Sequence, residues 1–129
     1  MNNLKLIPND EKYYEFIREL RFCEDNINGF ITQEEITKEE QFNYMSKFGK
    51  AYYICLLNET PVGFIGVIDN DIRLATKPEF KKNGIGKYMV NEIMNLYPKS
   101  IAKIKINNMS SIKLFESCGF KTEYLIMKK

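Results

Sequence analysis

The chain contains no histidine in its 129 residues, so no mechanism built on an imidazole is open to it. Its three cysteines, Cys23, Cys55 and Cys118, are odd in number and widely spaced, with no Cys-x-x-Cys pair. A disulfide framework or a zinc site is therefore not expected, and reduced thiols in a cytoplasmic protein are. The longest strongly apolar stretch, Ala51 to Leu57, is far too short to span a bilayer. No signal-peptide pattern opens the chain, and no membrane partner is expected. Charge of one sign is also missing: a net +2 makes no general case for nucleic acid. With no repeat, linker or low-complexity segment, residues 1–129 read as a single domain, large enough to bury a real core.

What is present alternates between strand and helix patterns. Leu4 to Ile7 reads as a strand ended by Pro8, and Asp10 opens a helix with Tyr13, Phe16, Ile17 and Leu20 on one face. Thr37 and Glu40 form a capping box for a second helix carrying Phe42, Met45 and Phe48. Ala51 to Leu57 and Val62 to Ile68 make a hairpin through Asn58 to Pro61. Asp69-Asn70-Asp71 signals a tight turn into a strand from Ile72 to Thr76. A helix from Lys87 to Tyr97, a strand from Ile101 to Ile106, a short helix and a closing strand complete the order.

The loop Lys81-Lys82-Asn83-Gly84-Ile85-Gly86 sits between an apolar strand and an apolar-striped helix. A helix N-terminus presents unpaired N–H groups and about half a positive charge, which makes a ready anion site. Gly84 and Gly86 would let a pyrophosphate approach the backbone, and Lys81, Lys82 and Lys87 would surround it with charge. A Walker A loop ending at Gly86-Lys87 needs glycine at 81 and a hydroxyl at 88, where the chain has Lys81 and Tyr88. A dinucleotide fingerprint needs glycine where Met89 stands.

The loop instead resembles the [Q/R]-x-x-G-x-[G/A] loop of the GCN5-related N-acetyltransferases, with Lys81 in place of Gln or Arg. A later run, Asn108-Met-Ser-Ser111-Ile-Lys-Leu-Phe115-Glu-Ser-Cys-Gly119-Phe120, is similar to that family's N-x-x-[AS] helix ending at Gly-Phe. Read without the family, Ser110 is a good N-cap, Gly119 a good helix stop, and Ile112, Phe115 and Cys118 a core stripe.

The resemblance implies an α/β fold: a mixed, mostly antiparallel sheet with a splayed pair of parallel strands and helices on both faces. It implies acetyl-CoA as acyl donor, its pantetheine inserted between the strands at Ile72 to Thr76 and Ile101 to Ile106, a form of β-augmentation. Leu74 and Thr76 would contact the pantetheine arm, Asn108 would contact it or brace the splay, and the N–H near Ala75 would polarise the thioester carbonyl. Asp71 is the candidate base, and Ser111 a candidate for protonating the thiolate. Phe115 lines the cofactor site where many relatives carry a thiolate-protonating tyrosine, a departure. Only nine residues follow Phe120, so the family's C-terminal strand pair should be shortened.

The run from Arg18 to Asn26, Phe30, and the run from Ile36 to Tyr44 are similar to the front half of amino-sugar N-acetyltransferases. That resemblance implies a nucleotide-linked amino sugar as the amine acceptor, with Arg18 and Arg21 meeting a phosphate and Phe30 stacking on a ring. Two other readings stay open: acetylation of a protein or peptide amine, which Glu24, Asp25, Glu34 and Glu35 would suit, and a non-catalytic acetyl-CoA sensor. The assembly is expected to be a monomer or homodimer.

Overall fold

The structure, a computed structural model, describes residues 3–23, 26 and 36–129. Four strands, β1 (Leu4–Pro8), β2 (Tyr52–Leu57), β3 (Thr60–Ile68) and β4 (Asp71–Thr76), form one antiparallel sheet in the order of the chain. Both tight connections use two residues with positive φ, Asn58-Glu59 and Asp69-Asn70. This is the type I′ pattern that suits the right-handed twist of a hairpin, and Asn and Asp tolerate it well. The first hairpin is tighter than the sequence suggests. β3 begins at Thr60, and an irregularity in register between Cys55 and Leu56 accommodates Pro61.

Helices cover both faces. Helix α1 (Tyr14–Phe22) follows a 3-10 turn at Glu11–Tyr13, and α2 (Lys38–Phe48) starts at the Thr37 capping box, both halves of which form. They pack on one face with Ile17, Leu20, Met45, Tyr52, Ile54, Phe64 and Ala75. Helix α3 (Ile85–Leu96) and helix α4 (Met109–Ser117) cover the other. Met89, Val90 and Ile93 there are fully buried against Cys55, Val62 and Ile65, each burial stabilising by about 1.5–3 kcal/mol. Phe42 and Phe48, carried by this helix with Met45, are 48% and 42% exposed. The inward stripe of α2 is set by Gln41 and Met45, because Gln41 is held by its bond to the Tyr14 carbonyl.

Two expected strands do not form. Residues 101–106 make a single parallel bridge, Asp71 with Ile101, and then run on without ladder bonds. Ala102 and Ile104 still pack on the core, so the segment has a strand's alternation without a strand's partner. Residues 121–129 are exposed and carry no regular structure.

Candidate functional site

β4 is followed by a 3-10 turn (Pro78–Phe80) and then by the lysine loop. Lys82 has φ 69 and Gly84 φ 78, so two left-handed residues flank Asn83. Such alternation curls successive N–H groups toward one point. Gly84 is the N-cap of α3 and offers no side chain as a cap; the helical ladder begins with Tyr88 N–H on the Gly84 carbonyl at 3.0 Å. The N–H groups of Ile85, Gly86 and Lys87 are therefore left without an intrahelical acceptor. Lys81, Lys82, Asn83 and Lys87 are exposed around them, whereas the Ile85 side chain is 2% exposed and belongs to the core. The helix starts two residues earlier than its apolar stripe suggests. Gly86 consequently lies inside the first turn, where its job is close approach: a Cβ there would sit 3.1 Å from Leu114 Cδ2 of α4.

The direction of the β4 backbone groups defines the rest. Lys77 N–H donates to the Val62 carbonyl, and the β3–β4 register pairs Phe64 with Ala75 and Gly66 with Arg73. Antiparallel alternation then turns the N–H groups of Arg73 and Ala75 toward β3. Those of Ile72, Leu74 and Thr76 face the other way, and Ile72 N–H indeed donates to the Ile101 carbonyl at 2.9 Å. Beyond that bridge no ladder joins the two segments, and the N–H groups of Leu74 and Thr76 face away from β3 along this open edge. Ala75 is thus corrected as an oxyanion donor, since its N–H is spent on the sheet; the N–H groups of Leu74 and Thr76 have no partner among the described residues. Buried Asn26, whose role the sequence does not reveal, ties the end of α1 to this edge: its Nδ2 donates to the carbonyls of Leu20 (2.9 Å) and Thr76 (3.2 Å).

Asn108, rather than Ser110, caps α4: its Oδ1 accepts the Ser111 N–H at 3.2 Å. At the other end Gly119 (φ 91) closes a Schellman motif. Phe120 N–H reaches the Phe115 carbonyl and Gly119 N–H that of Glu116, each at 3.0 Å. The Phe115 and Phe120 rings meet edge to face at 5.0 Å. Phe115 is 5% exposed, so its ring is core and hydrophobic clasp, and the expectation that it lines the cofactor site is corrected.

The α1/α2 face carries the polar chemistry. Asp71, Arg73 and Ala75 alternate onto it. Arg73 Nη1 donates to Tyr44 Oη at 3.3 Å, and Tyr44 Oη and Tyr52 Oη lie 2.9 Å apart. Asp71 Oδ2 is 3.8 Å from Arg73 Nε, while its Oδ1 is buried without a hydrogen-bond partner among the described residues. Burial holds the Asp71 carboxyl above its ordinary value, partly offset by Arg73 and Lys103. Ile17, Arg21, Gln41, Tyr44, Tyr52 and Arg73 are among the walls of a cavity of about 10 Å³.

Of the expected acceptor residues, Arg21 reaches this cavity. Arg18 does not: Nε bonds to both Glu15 carboxylate oxygens (3.0 and 3.2 Å), Nη2 to Glu15 Oε1 and Nη1 to the Ile36 carbonyl. Phe30, Glu24, Asp25, Glu34 and Glu35 lie outside the described residues. Arg73 was legible only as Asp-x-Arg on one strand face, a spacing that equally suits a surface ion pair. The cysteines are free, and burial pushes the Cys55 thiol up to about 11, which keeps it protonated and inert.

The sequence matches the profile of the Acetyltransferase (GNAT) family over residues 13–120, and the chain belongs to that family. No curated protein sequence matches it significantly. Among solved structures, a domain from Methanocaldococcus jannaschii DSM 2661 superposes with TM-score 0.83 at 23% identity, over 95% of this chain and 91% of that one. The structure of yncA from Salmonella typhimurium with its cofactor acetyl-CoA gives TM-score 0.78 at 13% identity, over 94% and 81%. An aminoglycoside N-acetyltransferase in complex with CoA gives 0.72 at 13% identity, over 100% and 95%. The chain is an N-acetyltransferase with acetyl-CoA as donor, and its acceptor is a small-molecule or peptide amine. Among the described residues no helix is long and apolar enough to cross a membrane.

Proposed function

We propose that this chain acetylates the primary amine of a small molecule, a nucleotide-linked amino sugar in glycan biosynthesis. The observation that supports the transferase part of the reading is the open edge of β4, where the Leu74 and Thr76 N–H groups face away from β3 in the strand that precedes the lysine loop and α3. Acetyl-CoA supplies an activated thioester, whose C–S bond breaks as the amine nitrogen forms the new C–N bond. Around it the lysine loop and the N–H groups of Ile85, Gly86 and Lys87 would hold the pyrophosphate. An N–H of Leu74 or Thr76 would meet the negative charge growing on the carbonyl oxygen. Asp71 takes the amine proton, directly or through water; a carboxylate with one oxygen desolvated and unpartnered has the basicity for it. Ser111 stands near the start of α4 with its N–H committed to Asn108, leaving its hydroxyl as a donor for the departing thiolate.

The test is CoA release, read with a thiol reagent, over nucleotide-linked amino sugars, free amino sugars and peptide amines. Turnover on the nucleotide-linked sugars is expected. Turnover on peptides alone would replace the acceptor class, and tight acetyl-CoA binding with no turnover on any amine would make the chain a sensor.

A further inference from the structure

We infer that the small cavity between α1, α2 and β4 is an oxyanion subsite, in which Arg73 receives a carboxylate or phosphate oxygen of the amine acceptor. The inference rests on the N-acetyltransferase reading and deepens it. Three observations carry it. Arg73 lies one residue from Leu74, whose N–H faces away from β3 along the open edge of β4, and its side chain projects onto the sheet face opposite α3. A group bound there reaches the reaction from the side opposite the pyrophosphate loop.

Secondly, the guanidinium has donors to spare. It carries five N–H donors. Its contacts among the described residues are Tyr44 Oη at 3.3 Å, the Tyr52 hydroxyl, and Asp71 Oδ2 at 3.8 Å, the last beyond hydrogen-bonding range, and its side chain remains 34% exposed. A half-buried guanidinium whose close acceptors are two tyrosine hydroxyls keeps N–H donors for one oxygen of an incoming anion.

Thirdly, the walls match. Arg21 adds a second guanidinium, and the paired hydroxyls of Tyr44 and Tyr52 fix the first in place. At about 10 Å³ the cavity takes a water-sized group, one oxygen of an anion, and excludes a sugar ring or a nucleobase. The acceptor would therefore carry its amine and an oxyanion on one small scaffold or a short arm.

The experiment has two arms. In the first, kcat/KM is compared for matched amines differing only in the anion: amino-sugar phosphate against free amino sugar, and an amino acid against its amide. The anionic member of a pair is expected to be preferred at least tenfold, and Arg73→Met should move that ratio toward one through KM. Arg73→Lys, which keeps charge but not the fork, should recover part of it. The phosphate and carboxylate pairs show which oxyanion is used. Equal kcat/KM within every pair would overturn the subsite while leaving the transferase reading intact. In the second arm, the arginine Nε–Hε NMR signals are followed during titration with inorganic phosphate or acetate, with no acetyl-CoA present. A saturable shift of the Arg73 signal is expected whether or not any amine is acetylated. Its absence overturns the inference, and its presence in an enzyme without turnover isolates the failure to the transferase reading.

Discussion

On the α3/α4 face of the sheet, Cys55, Val62, Ile65 and Ile72 close an apolar core with Met89, Val90 and Ile93. On the α1/α2 face the same strands deliver Tyr52 and Arg73 into a cluster with Tyr44 and Gln41. The α3/α4 face, the proposed cofactor side, offers backbone geometry: a left-handed cap, helix N–H groups and a strand edge without a ladder beyond Ile72. The α1/α2 face, the proposed acceptor side, uses side chains, each needing a partner to be buried at all. On the reading proposed above, the anion of the shared cofactor would be met by main chain, and the individual substrate by residues that can change without altering the fold.

Breaking the acceptor side at its base should have the largest effect. Asp71→Asn is expected to lower kcat by about 10²–10⁴-fold while acetyl-CoA affinity stays near wild type. It should also raise Tm at neutral pH. Burial raises this carboxyl above 3.8, so its charge opposes folding, a penalty absent in strong acid and growing as pH rises through the elevated value. The gain in Tm should therefore vanish below about pH 4. A pH-independent difference in Tm would mean that the substitution acts through packing.

On the cofactor side the two glycines separate backbone conformation from packing. Both Gly84→Val and Gly86→Val should weaken acetyl-CoA by about tenfold or more, or about 1.4 kcal/mol, in calorimetric titration. Gly84→Val acts by straining a residue at φ 78, with open space around its Cβ. Gly86→Val overpacks against Leu114 and should cost about 1–3 kcal/mol of stability. Leu114→Ala should therefore restore Tm in the second variant and leave the first unrescued.

A smaller effect is expected from the exposed lysines. Acetyl-CoA affinity should weaken modestly as salt rises to physiological strength, if Lys81, Lys82 and Lys87 supplement the backbone. Salt-independent affinity would assign the whole of anion binding to the N–H groups. The smallest change in turnover is expected from Phe115→Tyr. With the ring in the core, kcat should shift by less than about threefold, while an unpartnered hydroxyl there lowers stability by about 1–3 kcal/mol. A hundredfold gain in kcat would place the ring beside the thiolate after all.

The legible parts of this molecule were those set by short-range spacing. The capping box at Thr37 and Glu40, the lysine loop and the Gly119 stop depend on residues three or four apart, and all three form. What escaped depends on distant partners. The isoleucines of 101–106 read as a strand, yet a strand also needs a neighbour, and beyond the bridge to Asp71 no ladder joins them to one. Phe42 and Phe48 fit a helical stripe, but the face that turns inward was decided by Gln41 finding the Tyr14 carbonyl. Ala75 failed for a similar reason: spacing names a residue, while the register decides which way its N–H points. Arg73 offered no more than its Asp-x-Arg spacing because its partners Tyr44 and Tyr52 come from a helix and a strand far away in sequence.

The tail beyond Phe120 has a consequence for handling in solution. Tyr124, Leu125, Ile126 and Met127 are between 73% and 89% exposed, a run of apolar, strand-prone residues with no ladder of its own. Such a run is a nucleus for chain-to-chain stacking at high concentration. Lys121, Lys128 and Lys129 bracket it, so stacked copies would bring like charges together. Colloidal behaviour should then hinge on these three exposed cations: low salt keeps the protein dispersed, and screening or acetylation of those lysines turns it cloudy.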